Sequence, residues 1–195
     1  MNKALEAKFV IISVIGPHAG ENESQIFNRK IKDIEVSGKT FWLIKSRKAN
    51  PDMIQQICLH AKEENKDVFC IFIEPSSVGR SVPTKISSAA KMFSIDRRNW
   101  FEIPKDITPV TGKIDRSACA LIFNELTLEK GIIDLWNYAD FFDPVQPIKI
   151  IRGASTVCAI KKNMSEKDCK EKIKSRFREI VAIGKLCFPH GVWLK

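Results

Sequence analysis

No uninterrupted apolar stretch in this sequence approaches the roughly 20 residues that a membrane-crossing helix needs; the longest, Phe9 to Ile15, is broken by Ser13. The opening MNKALEAK lacks the apolar core of a signal peptide, which predicts a protein that is not secreted by that route. Six cysteines (58, 70, 119, 158, 169 and 187) include no CxxC pair, and four sit in apolar runs. They are expected as reduced core thiols of a cytoplasmic protein. Only three histidines occur. His60 and Cys58 point apart on a helix, and Cys187 with His190 has no second pair to complete a tetrahedral zinc site. GxSxG and GxxxxGK[ST] are both missing. The sequence therefore implies no cofactor and no metal, and assigns no catalytic residue.

Positive charge and a globular core are present. The 195 residues are 44% hydrophobic and 28% charged, far from a disordered composition. A chain of this length buries roughly 70% of its unfolded surface and folds without staples. Its net charge of +9 is unevenly spread. Residues 101–147 carry 4 basic and 8 acidic side chains, whereas residues 148–195 carry 12 and 4. Concentrated positive potential selects polyanionic partners, nucleic acid first and an acidic protein second.

Hydrophobic periodicity predicts strands over 8–15, 68–73, 100–103, 148–151 and 156–161. Hairpins are expected from 26–36 with 40–46 around Ser37-Gly38-Lys39, and from 118–128 with 132–138 around Glu129-Lys130-Gly131. Asn50-Pro51-Asp52 opens a helix that runs to about Asn65, a short helix spans 85–93, and Ser165 caps a basic C-terminal helix over 165–183. The sum is an α+β chain, a single domain over 1–195. Its largely antiparallel, curved sheet or partial barrel has about eight strands and three flanking helices.

Three groups of residues are candidates for binding. Along the expected last helix, Lys167, Lys170, Lys174 and Arg178 flank an apolar face and span about 16 Å, the spacing of a phosphate-tracking stripe. Around the first hairpin, Arg29, Lys30, Lys39, Arg47 and Lys48 surround Trp42, whose ring is suited either to stacking on a base or to filling a core. In the loop after the 68–73 strand, Ser76, Ser77, Gly79, Arg80 and Ser81 offer small residues and a guanidinium to an anion. The string Phe41-Trp42-Leu43-Ile44-Lys45-Ser46 resembles the YWLxKS opening strand of EVE domains, PUA-like modules that read nucleic-acid bases. The likeness covers six residues, and Arg47-Lys48 stands where those domains carry Glu-Pro.

These features predict a nucleic-acid-binding module. A metal-dependent nuclease is the alternative, with Asp33 near Lys45 or Glu125 facing Asp134 across the second hairpin. The third reading is an interaction protein whose basic surface meets an acidic partner.

Overall fold

Residues 3–15, 21–44, 46–75, 88–148, 156–163 and 176–195 are described by a computed structural model of the chain. Among these residues the chain is mixed α/β, with three α-helices and a sheet of ten strands that is mostly antiparallel and not closed into a barrel.

The apolar run after a four-residue helix α1 (Lys3–Glu6) becomes β1 (Phe9–Val14), fully buried as its composition requires. Helix α2 (Glu23–Ser37) follows, then β2 (Thr40–Ile44), helix α3 (Pro51–Glu63) and β3 (Phe69–Ile73). Strands β1 and β3 are parallel neighbours, the β-α-β crossover being made by everything between them. The remaining elements are β4 (Ser88–Ala89), β5 (Met92–Ser94), β6 (Phe101–Glu102), β7 (Thr111–Gly112) and the 16-residue β8 (Cys119–Asp134). A 3-10 turn (Leu135–Asn137), β9 (Tyr138–Asp140), β10 (Asp143–Pro147), β11 (Thr156–Lys161) and the 18-residue β12 (Phe177–Leu194) complete the order.

Across the sheet the strands run β10-β9-β11-β1-β3-β12, and β8 then lies between β12 and β2. The second half of β12 outlasts β3 and carries β5 and β6 beside it instead. One parallel bridge, Lys48 to Val157, ties the chain just beyond β2 to β11 at the far limb of the curl. Alternation along β1 sends Phe9 and Ile11 to a core shared with Phe27 of α2 and with Ile54, Ile57 and Ala61 of α3. Val10, Ile12 and Val14 enter a second core with Ile71, Ile73, Val157 and Ile180. Both faces of the central strands are therefore dry, which explains their unbroken apolar sequence. A third core under residues 103–114 gathers Phe41, Ile107, Ala120, Ile122 and Leu194.

Several expectations stand and several are corrected. Strands β1, β3, β6 and β11 and helix α3 are where periodicity placed them, and Asn50 accepts the Met53 amide at 3.0 Å as the cap of α3. The segment 26–36 is helix, not hairpin. Asn22 and Gln25 exchange hydrogen bonds in a capping box, and the supposed turn residue Gly38 is the left-handed C-cap (φ 71°) that returns its amide to the Ile34 carbonyl. In place of the hairpin expected over 118–138, one continuous strand runs from Cys119 to Asp134, with Gly131 paired in mid-ladder to Ile180, and a 3-10 turn follows it. The C-terminal helix does not extend over 177–183, which is strand; Arg178, Ile180 and Ala182 are buried while Phe177 and Glu179 are exposed, a period of two. Residues 88–89 and 92–94 are strands rather than part of a helix, and 149–151 lie outside the described residues.

The long β8–β12 ladder bends at three register shifts along β12. Close packing there depends on Gly184, where a Cβ would fall 2.8 Å from Cδ1 of the fully buried Phe123. Gly184→Ala should therefore lower stability by about 1–3 kcal/mol in chemical denaturation. A loss below about 0.5 kcal/mol, the size of a neutral surface change, would mean that the ring yields freely.

Candidate nucleic-acid interface

The sequence-derived candidates disperse when folded. Lys167, Lys170 and Lys174, and with them Ser76, Ser77, Gly79, Arg80 and Ser81, lie outside the described residues. Arg178 is only 7% exposed and donates to the Glu74 carbonyl, so it belongs to the interior rather than to a cationic stripe. Around α2 and β2 the cations are engaged by acids. Arg29 grips Glu21 in a fork at 3.0 and 2.6 Å, and Lys48 reaches Asp140 at 3.0 Å. Lys30 is buried beside Asp33. Lys39 is half-buried, and Arg47 is exposed. Trp42 faces inward, its ring stacked 5.0 Å from Phe27 and tilted 4.5 Å from Phe72. The base-stacking role expected of Trp42 is replaced by a packing role.

The acids expected to hold a metal are also apart. Asp33 lies on α2, where its carboxylate is taken up by Thr40, Thr108 and Lys30; Lys45 is outside the described residues. Glu125 and Asp134 stand on one strand, nine residues and so about 30 Å apart, rather than opposite one another. Glu125 faces Lys185, and Asp134 takes a bidentate contact from Arg176. Among the described residues no group of three His, Cys, Asp or Glu side chains is placed to hold a metal. The five described cysteines are free thiols. Burial pushes Cys58 up to about 12 and raises Cys70 and Cys158 well above the ordinary thiol range, so these three are inert at neutral pH. Burial lowers His190, with Lys62 adding to the effect.

A different surface gathers cations and aromatic rings, at the corner where β5 and β6 meet the end of β12. Lys195 closes the ladder by exchanging backbone hydrogen bonds with Met92 and receiving the Lys91 amide at 2.8 Å, which sets Lys91 and Lys195 side by side. The Lys195 ammonium lies 5.3 Å from the centre of the Trp100 ring. The Arg97 guanidinium lies 3.4 Å from the centre of the Trp193 ring, a close stacking contact. On the other face of the same edge, Phe101 pairs with Phe93 at 5.8 Å between ring centres and is 54% exposed. Met92 and Glu102 pair alongside.

The turn that presents Arg97 and Arg98 is organised by Asp96. Its carboxylate accepts from the Arg98 and Asn99 amides at 2.8 and 2.9 Å and from the Ser94 hydroxyl at 3.1 Å. The Asn99 and Arg98 amides hold this carboxyl far below the usual range, so it stays ionised and directed into its own turn. Arg97 itself is held at φ 62°, a left-handed conformation that costs a side-chain-bearing residue roughly 1–2 kcal/mol. Its guanidinium also reaches the Arg116 carbonyl at 3.2 Å. Residues 91–105 and 193–195 thus bring together Lys91, Arg97, Arg98, Lys105 and Lys195 against only Asp96 and Glu102. Five cations against two acids leave the corner cationic, and the exposed Phe101 ring lies at its edge.

The sequence reading passed over this corner, although the string Asp96-Arg-Arg-Asn-Trp-Phe101 places two arginines beside two aromatics. The helix expected over 85–93 hides the strand β5 on which this corner is built.

The chain matches no protein-family model, no curated protein sequence and no solved structure.

Proposed function

We propose that this protein binds nucleic acid, through the corner formed by β5, β6 and the end of β12. The observation that supports the reading is the gathering of Lys91, Arg97, Arg98 and Lys195 at this corner, with the exposed ring of Phe101 on the other face of the same edge. Cations draw in the phosphate backbone and aromatic rings supply a sequence-tolerant surface for bases. Neither ingredient alone has this meaning, because lone surface lysines are solvated and lone exposed rings are common. The net charge of +9 adds long-range attraction for a polyanion.

Binding of this kind releases condensed counterions, and its affinity falls linearly on a log–log plot against salt. The slope is about −0.9 per phosphate contact on duplex DNA and about −0.7 on single strands. An Arg97→Ala/Arg98→Ala variant should lose two contacts and flatten the slope by about 1.4–1.8. Both side chains lie on an exposed turn, so the fold should survive with a loss of about 1 kcal/mol from the Trp193 stacking contact. Fluorescence anisotropy across a salt series measures the slope. An unchanged slope would remove this corner from the interface, and no binding at low salt would remove nucleic acid as the partner.

A further inference from the structure

We infer that the bulge in β12 is a pH-sensitive latch, closed on α3 while His190 is neutral and released when that ring takes up a proton.

Between the pairs Leu186–Phe123 and Gly191–Leu121, β12 advances five residues while β8 advances two, so Cys187 to His190 loop out of the ladder. Helix α3 holds this loop down. The Gln55 side-chain amide donates to the Pro189 carbonyl and, at 2.9 Å, to the Gly191 carbonyl. A Cβ on Gly191 would fall 2.9 Å from Cβ of Ile54, so the backbone there lies directly against the helix. His190 stands between these two anchors at φ 59°, a left-handed conformation that persists only where the surroundings impose it. Its ring meets the Phe188 ring edge-on at 6.2 Å between centres, and Phe188 is 71% exposed.

The weak point of the closure is Nδ1 of His190, which is buried and has no hydrogen-bond partner among the described residues. A neutral imidazole with its proton on Nε2 leaves only an unused lone pair at that atom. An imidazolium puts an N–H and a positive charge there, with no acceptor to receive them. The nearby charges sharpen the conflict. Lys62 acts on His190 from α3, and Lys39 acts on the neighbouring Cys187. The acids of α3 are Asp52, three residues before Gln55, and Glu63, which meets His60 at 3.5 Å. Opposite the bulge β8 presents the apolar Leu121, Ile122 and Phe123, and Lys185 of β12 is paired with Asp67. Burial first and Lys62 second hold the ring below its ordinary range. The opened loop therefore takes up its proton near the ordinary value of about 6.5, and the closed loop only at lower pH. Opening is favoured up to about tenfold for each pH unit below that value, until the closed form titrates as well.

The test follows the histidine rings of the intact chain by NMR from about pH 8 to about pH 5. Backbone hydrogen exchange, corrected for its intrinsic pH dependence, is measured over the same range. His190 is expected to titrate below about 6.5. Amides around the bulge should exchange at least several-fold faster at about pH 5 than at about pH 7, while those of β1 stay protected. His190→Asn, which suits a left-handed backbone and carries no charge, should remove the acceleration. A His190 ring that titrates at or above about 6.5 in the folded chain, or exchange at the bulge that ignores pH, would overturn the latch. So would an unchanged acceleration in His190→Asn.

Discussion

Asp33→Ala should destabilise the protein by about 3–5 kcal/mol, the cost of leaving a buried charge without its partner. The carboxylate stands at the centre of a closed polar cluster. It accepts the Thr40 hydroxyl at 2.8 Å, the Thr108 amide at 3.0 Å and the Thr108 hydroxyl at 2.5 Å, and it faces the Lys30 ammonium at 3.4 Å. These bonds pin α2 to both β2 and the 104–110 segment, and Lys30 and Asp33 are both buried. Removing Asp33 strands the ammonium and frees Thr108. Lys30→Met, by contrast, leaves the three hydrogen bonds to the Asp33 carboxylate standing, so the charge that remains is still solvated by the protein and the loss should be smaller than that of Asp33→Ala. The double variant Asp33→Ala/Lys30→Met should recover part of the single-variant loss in urea unfolding. An Asp33→Ala loss below about 1 kcal/mol, an ordinary surface-level effect, would show that the cluster is dispensable.

The same pair sets two pH windows. Burial alone raises the Asp33 carboxyl, but the hydroxyl and amide of Thr108, Lys30 and Thr40 outweigh it and hold it below its ordinary range. Its contribution is present above the unfolded value of about 4 and is lost as pH falls through the lower folded value. Lys30 behaves oppositely to an exposed lysine. Desolvation pulls it to about 8 against the attraction of Asp33. Between about 8 and 10.5 the unfolded chain binds the proton that the folded chain has shed, so stability rises with pH across that window. Lys30→Met should flatten that rise.

Trp42→Ala should cost about 3–5 kcal/mol of stability, measured as a shift of the denaturation midpoint. The ring packs against Phe27 of α2 and Phe72 of β3, which meet each other at 5.1 Å, and Phe72 in turn meets Phe123 of β8 at 5.8 Å. Truncation would open a gap where four elements converge. Nucleic-acid affinity of the folded variant should be unchanged, because this ring is not part of the β5–β6 corner. The reverse outcome, lost affinity with full stability, would restore Trp42 as a stacking platform and move the interface to β2.

Trp42 shows how far residue type and neighbourhood carry a functional reading. In sequence it stands among Lys39, Lys45, Arg47 and Lys48, which suggests a basic aromatic face. Strand alternation separates Trp42 and Ile44 from Phe41 and Leu43, and both faces turn out to be covered by core. Charge count erred in a related way. Arg29, Lys30 and Lys48 counted as surface cations, yet the first two meet acids close by in the chain and the third meets one on a distant strand. The cationic corner instead draws Lys195 to Lys91 and Trp193 to Arg97, pairs about a hundred residues apart in the chain.

What the amino-acid order determined by itself is local. Unbroken apolar runs made β1 and β3 strands buried on both faces, because only a central position hides every side chain. Asn50-Pro51 started α3, because a side-chain acceptor and a residue without an amide hydrogen suit the first turn. The same kind of signal was present for α2, where Asn22, Gln25 and Gly38 mark both ends, but imperfect alternation between them was read with a period of two. Tertiary structure decided the rest. Whether 177–183 coils or extends turned on the long edge of β8 waiting to be paired, since satisfying a ladder of backbone groups on a distant strand outweighs a weak local helical preference. That pairing made β8 continuous through Gly131, buried Arg178, and carried Trp193 and Lys195 to the turn that holds Arg97 and Arg98. Hydrogen-bond partners and ring contacts between residues far apart exist only once the chain has closed on itself, which is why the proposed interface belongs to the fold and not to any one segment.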